Sequence, residues 1–115
     1  MKRAVAIALL IGTIGGCRAA EAACTLTGTQ AYVRKADLPA EVVTALGFPL
    51  AERGTPFQST DVIGPGPRLP SARFVAARRS RCAIALRYEQ GGIAHTYQTA
   101  IFERRGTTWV LVRRR

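Results

Sequence analysis

Alternating apolar and polar positions dominate the last third of the chain, residues 81–115. Three runs alternate with a period of two, residues 82–88, 93–102 and 109–112, which is the pattern of half-buried strands. Gly91-Gly92 lies between the first two runs, and glycine pairs adopt the positive φ angles of tight hairpin turns. The pattern therefore predicts an antiparallel β-meander.

Further strands are predicted before and within this region. Residues 72–79 supply a fourth strand of the meander, and residues 104–107 form the turn before its last strand. Residues 25–33 are a candidate first strand, although Gly28 interrupts it.

A short helix is predicted between Asp37 and Gly47. Asp37 can cap the first turn, and Pro39 suits that turn because its missing N–H costs nothing there. Gly47 is a natural C-terminal stop. The apolar residues of this segment recur at helical spacing: Leu38, Val42, Ala45 and Leu46.

Residues 48–70 contain five of the six prolines of the chain, so we expect a Pro/Gly-rich loop. A long irregular segment in a small domain is either functional or disordered. A short strand over residues 57–63 is an alternative. Four apolar residues are expected to fasten the loop to the body: Phe57, Val62, Ile63 and Leu69.

Together these elements predict one small α+β domain over residues 23–115, with one short helix packed on an antiparallel β-meander of about four strands. A small β-barrel with one helix is the alternative. The order of a helix before a meander is similar to that of cystatin-like and NTF2-like folds. A fold of this kind does not define a function.

Residues 1–22 have the composition of a targeting segment. Lys2 and Arg3 precede an apolar run over residues 4–14, which is too short to span a bilayer. These features predict a signal peptide and an exported, bacterial envelope protein.

Two processing routes remain open for this segment. Ile14-Gly15-Gly16-Cys17 resembles the lipobox of bacterial lipoproteins, and the resemblance implies removal of residues 1–16 and lipidation of Cys17. Ala20-Glu21-Ala22 instead fits cleavage by ordinary signal peptidase after residue 22. The first route predicts an outer-membrane-anchored lipoprotein, and the second predicts a soluble periplasmic protein.

The three cysteines agree with export. Either route accounts for Cys17, so Cys24 and Cys82 remain as a pair in an oxidising compartment. We expect a disulfide between them. By closing a loop of this length, it would stabilise the folded domain by about 4 kcal/mol.

The chain is strongly basic, with 17 Lys and Arg against 7 Asp and Glu. Processing leaves 15 against 7 charges, or 14 against 6, and a net charge of +8 in both cases. An anionic envelope component or an acidic envelope protein is the expected partner. A merely solvated, arginine-rich surface is the alternative. The candidate anion-binding residues are Arg78, Arg79, Arg81, Arg104, Arg105, Arg113, Arg114 and Arg115.

Other partners and cofactors are not indicated. The exported location and the lack of a recognised motif argue against nucleic acid. The membrane is expected to be reached only through a lipid anchor. One histidine makes no zinc set, and no cofactor motif occurs.

His95 is the one histidine and the only candidate catalytic residue, with Glu89 across the predicted hairpin as its partner. No nucleophile motif accompanies the pair. Two functions therefore remain open. One is a non-enzymatic binding module, such as a subunit of an envelope complex or an inhibitor of an exported enzyme. The other is a small periplasmic enzyme that uses His95.

Overall fold

The computed structural model describes residues 23–115 and shows one α-helix and an open, mainly antiparallel sheet in this part of the chain. The sheet does not close, so the barrel alternative is wrong, and the predicted α+β class is confirmed. The predictions about residues 1–22, including Cys17, lie outside the described residues. The elements are β1 (Thr29–Tyr32), α1 (Ala40–Leu46), β2 (Leu50–Ala51), β3 (Ala72–Ser80), β4 (Ala83–Gln90), β5 (Thr96–Arg105) and β6 (Thr108–Arg114).

The sheet has the strand order β1-β3-β4-β5-β6, and the short β2 pairs in parallel with β3. Strands β3 to β6 are the four strands of the predicted meander. Among residues 23–115, no helix is long and apolar enough to cross a membrane.

The core lies on one face of the sheet, between the sheet and α1. Residues directly opposite each other on paired strands point to the same face. One such row joins Tyr32, Ala77, Leu86 and Ala100, all of which are buried. The alternation predicted from the sequence therefore assigns the apolar residues of these strands to the correct face of the sheet. The largest fully buried side chains are Tyr88, Phe74, Phe102, Leu46, Ile84, Leu86 and Val42.

The helix begins later than predicted. Pro39 rather than Asp37 is its N-cap, and Asp37 lies in a preceding 3-10 turn, Lys35–Asp37. Leu38 has an extended backbone, as expected for a residue before proline, and this separates the turn from α1. Gly47 ends the helix with a φ of 87°, as predicted.

Two long-range contacts attach α1 to β6. The Glu41 carboxylate accepts a hydrogen bond from the Trp109 backbone N–H at 3.1 Å. The Arg114 guanidinium donates to the Leu46 carbonyl at the other end of the helix, where a cation also complements the helix dipole. The edge of the sheet and both ends of the helix are thus joined by charged side chains.

The connection between β4 and β5 is longer than the predicted two-residue turn. Strand β5 begins at Thr96, so His95 lies in the connection and not within a strand. Gly91 is needed because the backbone of Gln58 and Ser59 lies against it, and a Cβ would come 1.9 Å from the Gln58 carbonyl oxygen. Gly92 does have the expected positive φ, at 135°.

Of the four apolar residues predicted to fasten the Pro/Gly-rich loop, Phe57 does so by stacking against the Arg73 guanidinium, and the other three are exposed. Val62 and Ile63 are 72% and 63% exposed. No strand forms over residues 57–63, where Thr60 makes only an isolated bridge to Gly92. The Gln58 N–H donates to the Pro70 carbonyl at 2.7 Å, which closes the loop on itself.

The predicted disulfide is confirmed, since Cys24 and Cys82 are bonded with their Cα atoms 6.1 Å apart. Cys82 lies in the turn between β3 and β4, one position before the strand it was expected to open. The bond and a hydrogen bond from the Arg81 N–H to the Gly28 carbonyl fix the N-terminal segment against this turn.

Replacing Gly91 with alanine should destabilise the domain, because the new Cβ meets the backbone of the loop and cannot be relieved by a side-chain rotation. We expect a loss of about 1–3 kcal/mol in the free energy of unfolding, measured by chemical denaturation. Gly64→Ala is the matched control, because a Cβ there meets nothing within 4 Å. Equal effects of the two substitutions would contradict the packing of the loop on the β4–β5 connection.

Candidate functional site

The second face of the sheet is largely uncovered by the described residues. One row of opposed residues on this face runs from Arg78 through Ala85 and Ile101 to Arg113. Ala85 and both arginines are exposed, in contrast to the buried rows of the other face. The loop covers only one end of this face, where residues 53–57 lie beside Glu89.

Four arginines project from the uncovered part of this face, and we call them the basic strip. Arg78 lies on β3, Arg87 on β4 and Arg113 on β6, and all three are exposed. Arg115 follows β6, and its backbone exchanges two hydrogen bonds with Thr99, at 2.7 and 2.8 Å. The pairing continues the sheet to Arg115, so this arginine is held in register with β5.

The basic strip is not neutralised by the described acidic residues. The ion pairs in this part of the chain join Arg34 to Asp37, Arg105 to Glu103, and Glu89 to both Arg73 and His95. Arg87 stacks over the Tyr97 ring at 5.3 Å but has no carboxylate partner there. A cluster of positive charge therefore remains available to an external anion.

Three other candidate arginines have partners within the fold. The Arg79 guanidinium donates to the carbonyls of Thr27 and Arg81. Arg104 stacks over the Trp109 ring at 5.7 Å. Arg114 points to the core face, where it closes α1 and stacks over Phe48.

The remaining two candidates lie near the turns at the disulfide end of the sheet. Arg105 forms an ion pair with Glu103 at 3.6 Å. Arg81 is exposed in the β3–β4 turn, with a φ of 53°. The predicted clusters therefore divide by their geometry, and only Arg78, Arg113 and Arg115 belong to the basic strip.

Arg87 was missed by the sequence analysis because it stands alone and not in a cluster. Its signal was the alternation within the predicted strand, which places it on the same face as Ala85. That Arg87 lies near Arg78 and Arg113 depends on how the strands pair. The spacing of these residues along the chain does not predict the pairing.

The second candidate site centres on Glu89, which is buried although it lies on the second face. One carboxylate oxygen accepts from the Arg73 Nε, and the other lies 2.9 Å from the His95 Nε2. Arg73 also donates to the Thr55 carbonyl at 3.0 Å and stacks over the Phe57 ring at 4.3 Å. The predicted His95–Glu89 pair is therefore formed, with Arg73 as a third member that was not predicted.

Burial alone would raise the pKa of the Glu89 carboxyl, but hydrogen bonds and charge from Arg73 and His95 outweigh it and lower the pKa. The carboxylate is thus ionised and can only accept, so His95 donates through Nε2. Both oxygens of Glu89 are occupied. The arrangement links β3, the β4–β5 connection and the loop.

Known proteins do not add to this picture: no family model, no curated protein and no solved structure matches the chain. In residues 23–115, no group of three or more His, Cys, Asp or Glu side chains is placed to hold a metal ion.

Replacing Glu89 with glutamine should lower the stability at neutral pH by on the order of 2 kcal/mol, because Arg73 then loses its charged partner. Since folding lowers the pKa of Glu89, its stabilisation is present above pH 4.5 and is lost as the pH falls below that value, towards the folded pKa. Thermal unfolding from pH 7 to pH 3 should show a shallower acid loss in Glu89→Gln than in the wild type. Glu103→Gln, which removes an exposed carboxylate, should keep the wild-type slope, and identical slopes in all three proteins would refute the role of Glu89.

Proposed function

We propose that this protein is an exported, non-enzymatic binding module of the bacterial envelope, and that its basic strip binds an anionic partner. The single observation that carries the proposal is the row of exposed arginines on the uncovered face of a sheet that is otherwise well packed. The partner is an acidic envelope protein or another anionic envelope component. No nucleic acid and no cofactor is part of the proposal.

Export is supported by the basic and apolar pattern of the first 22 residues and by the Cys24–Cys82 disulfide. Structural disulfides of this kind belong to oxidising compartments. Either lipidation of Cys17 or cleavage after residue 22 places the domain in the envelope. A lipid on Cys17 would tether the disulfide end of the sheet, because seven residues span at most about 25 Å.

Binding is supported by the distribution of charge. The acidic side chains Glu41, Glu52 and Glu89 are used in internal contacts. The arginines of the basic strip have no such use among the described residues. Exposed charges of one sign on one face attract an oppositely charged partner and accelerate its association.

The Glu89 cluster supports a structural role for the only histidine. Both oxygens of Glu89 accept hydrogen bonds from Arg73 and His95, and the lowered pKa makes this carboxylate a weak base. The same contacts hold the loop through Thr55 and Phe57. The cluster therefore favours a binding module over an enzyme.

A second candidate function is a small enzyme that uses His95. It is favoured by the His95–Glu89 hydrogen bond, which orients the imidazole as in acid–base pairs, and by the open depression beside it, lined in part by Arg53, Gly54 and Tyr97. The binding proposal predicts that His95→Ala leaves anion binding unchanged, and a loss of anion binding on this substitution would contradict it.

The proposal is tested by the affinity of the purified protein for immobilised polyglutamate. The variant Arg78→Ser/Arg87→Ser/Arg113→Ser removes three charges of the basic strip. Three exposed pairs at about 0.5 kcal/mol each correspond to about a tenfold loss of affinity at low salt. Binding by the wild type should also weaken as salt is raised.

The matched control is Arg34→Ser/Arg68→Ser/Arg81→Ser, which removes the same charge from exposed positions outside the strip. It should retain most of the wild-type affinity. Equal losses in the two variants would mean that binding reflects net charge alone. Salt-independent binding, or none, would also contradict the proposal.

A further inference from the structure

The floor of the basic strip is made of small or flat side chains. Between Arg78 and Arg113 the row contains only Ala85 and Ile101, and Thr99 lies beside them in the next row. The Arg87 guanidinium stacks over Tyr97 and so leans away from Ala85. The result is a shallow apolar floor one row deep, with Arg78 on one side and Arg113 on the other. Arg87 lies at one end of this floor, and Glu103, which pairs with Arg105, lies at the other.

The width of this floor matches an α-helix. Arg78 and Arg113 lie on strands separated by three strand spacings, which puts their Cα atoms about 14 Å apart. A helix with its side chains is about 10–12 Å across. A helix laid on Ala85 and Ile101 would therefore fit between the two arginines, with its flanks within their reach.

The architecture also leaves a place for a helix layer. Sheets in small domains bury a face against helices or against another sheet, and here only the face towards α1 is covered by the described residues. Alanine at the centre of the floor allows a close approach of another backbone, as small residues do in other tightly packed contacts.

We propose that the occupant of the basic strip is an amphipathic helix of a partner protein, with an apolar stripe that packs on Ala85 and Ile101 and acidic side chains on both flanks that pair with the arginines. This inference rests on the proposed function and specifies its partner. Paired arginines on both sides set the register of the helix, and the apolar floor excludes water beneath it.

Two other occupants fit the strip less well. A second copy of this chain carries the same net charge of +8, so two such faces repel each other. An anionic lipid surface is flat, and it would meet the ends of the arginine side chains without contacting the floor at Ala85 and Ile101. An acidic helix uses both the charges and the floor.

The test uses the processed, exported protein and two labelled peptides of about 20 residues, a length at which a helix can form alone. One peptide is helical, with a leucine stripe flanked by glutamates. The other has the same composition, but with its order scrambled and central prolines that prevent a helix. Fluorescence anisotropy should show at least about tenfold tighter binding of the helical peptide.

Ala85→Trp tests the floor without changing any charge, and tryptophan suits an exposed strand position. It should weaken binding of the helical peptide by at least about tenfold. Thr44→Trp, at an exposed position on α1 on the other side of the sheet, is the control and should bind like the wild type. Thermal unfolding checks that both variants are folded.

The outcomes separate this inference from the proposed function. Equal affinity for the two peptides, or no effect of Ala85→Trp, would overturn the helix while leaving strip-dependent polyglutamate binding in place. Displacement of the helical peptide from the wild type by phosphatidylglycerol vesicles would indicate that the strip binds a lipid surface, and would also overturn the helix proposal. Loss of strip-dependent polyglutamate binding would instead remove the proposed function itself.

Discussion

One-sided burial is the constraint on which the rest of this structure depends. A single seven-residue helix can cover only one face of the sheet, and its Val42 and Leu46 meet the core of Phe74, Leu86 and Phe102 there. The strands must therefore alternate between buried apolar and exposed residues. The face that α1 leaves uncovered is free to carry charge, and it carries the basic strip.

The small core needs further attachment, and three contacts between distant parts of the chain provide it. The disulfide fixes the N-terminal segment to the β3–β4 turn. Arg114 joins the C-terminal strand to the end of α1. The Glu89–Arg73 pair holds the loop to the opposite end of the sheet. The two charged contacts use residues that their local sequence would place on the surface, and all three contacts leave the centre of the second face clear.

The sequence predicted the meander because period-two alternation is a local property that the strands keep in the structure. It predicted the disulfide because Cys17 falls in the predicted targeting segment, which leaves Cys24 and Cys82 as a pair. The predicted start of β5 at residue 93 was wrong, because residues 93–95 continue the alternation of the strand without belonging to it. What ends the pairing there is the loop backbone against Gly91, which is a contact between distant segments.

The candidate sites were predictable only in part for the same reason. The pairing of His95 with Glu89 follows from their closeness in sequence across one connection. The role of Arg73 and the burial of Glu89 depend on the loop that folds over them. The basic strip depends on register across four strands, so the clustered arginines of the sequence were a poor guide, and the isolated Arg87 was missed.

The openness and the positive potential of the second face are tested most directly by thiol chemistry at its centre. Ala85→Cys can be made in a chain that begins at residue 23, where the two native cysteines are bonded to each other. The rate with an anionic aromatic disulfide reagent is compared with that of a neutral one, and Thr44→Cys, exposed on α1 on the other side of the sheet, provides the reference position. The account predicts rapid reaction in the folded protein and an anionic-to-neutral rate ratio about tenfold higher at position 85 than at position 44, falling as salt is raised. An unreactive thiol at position 85, or equal ratios at the two positions, would contradict it.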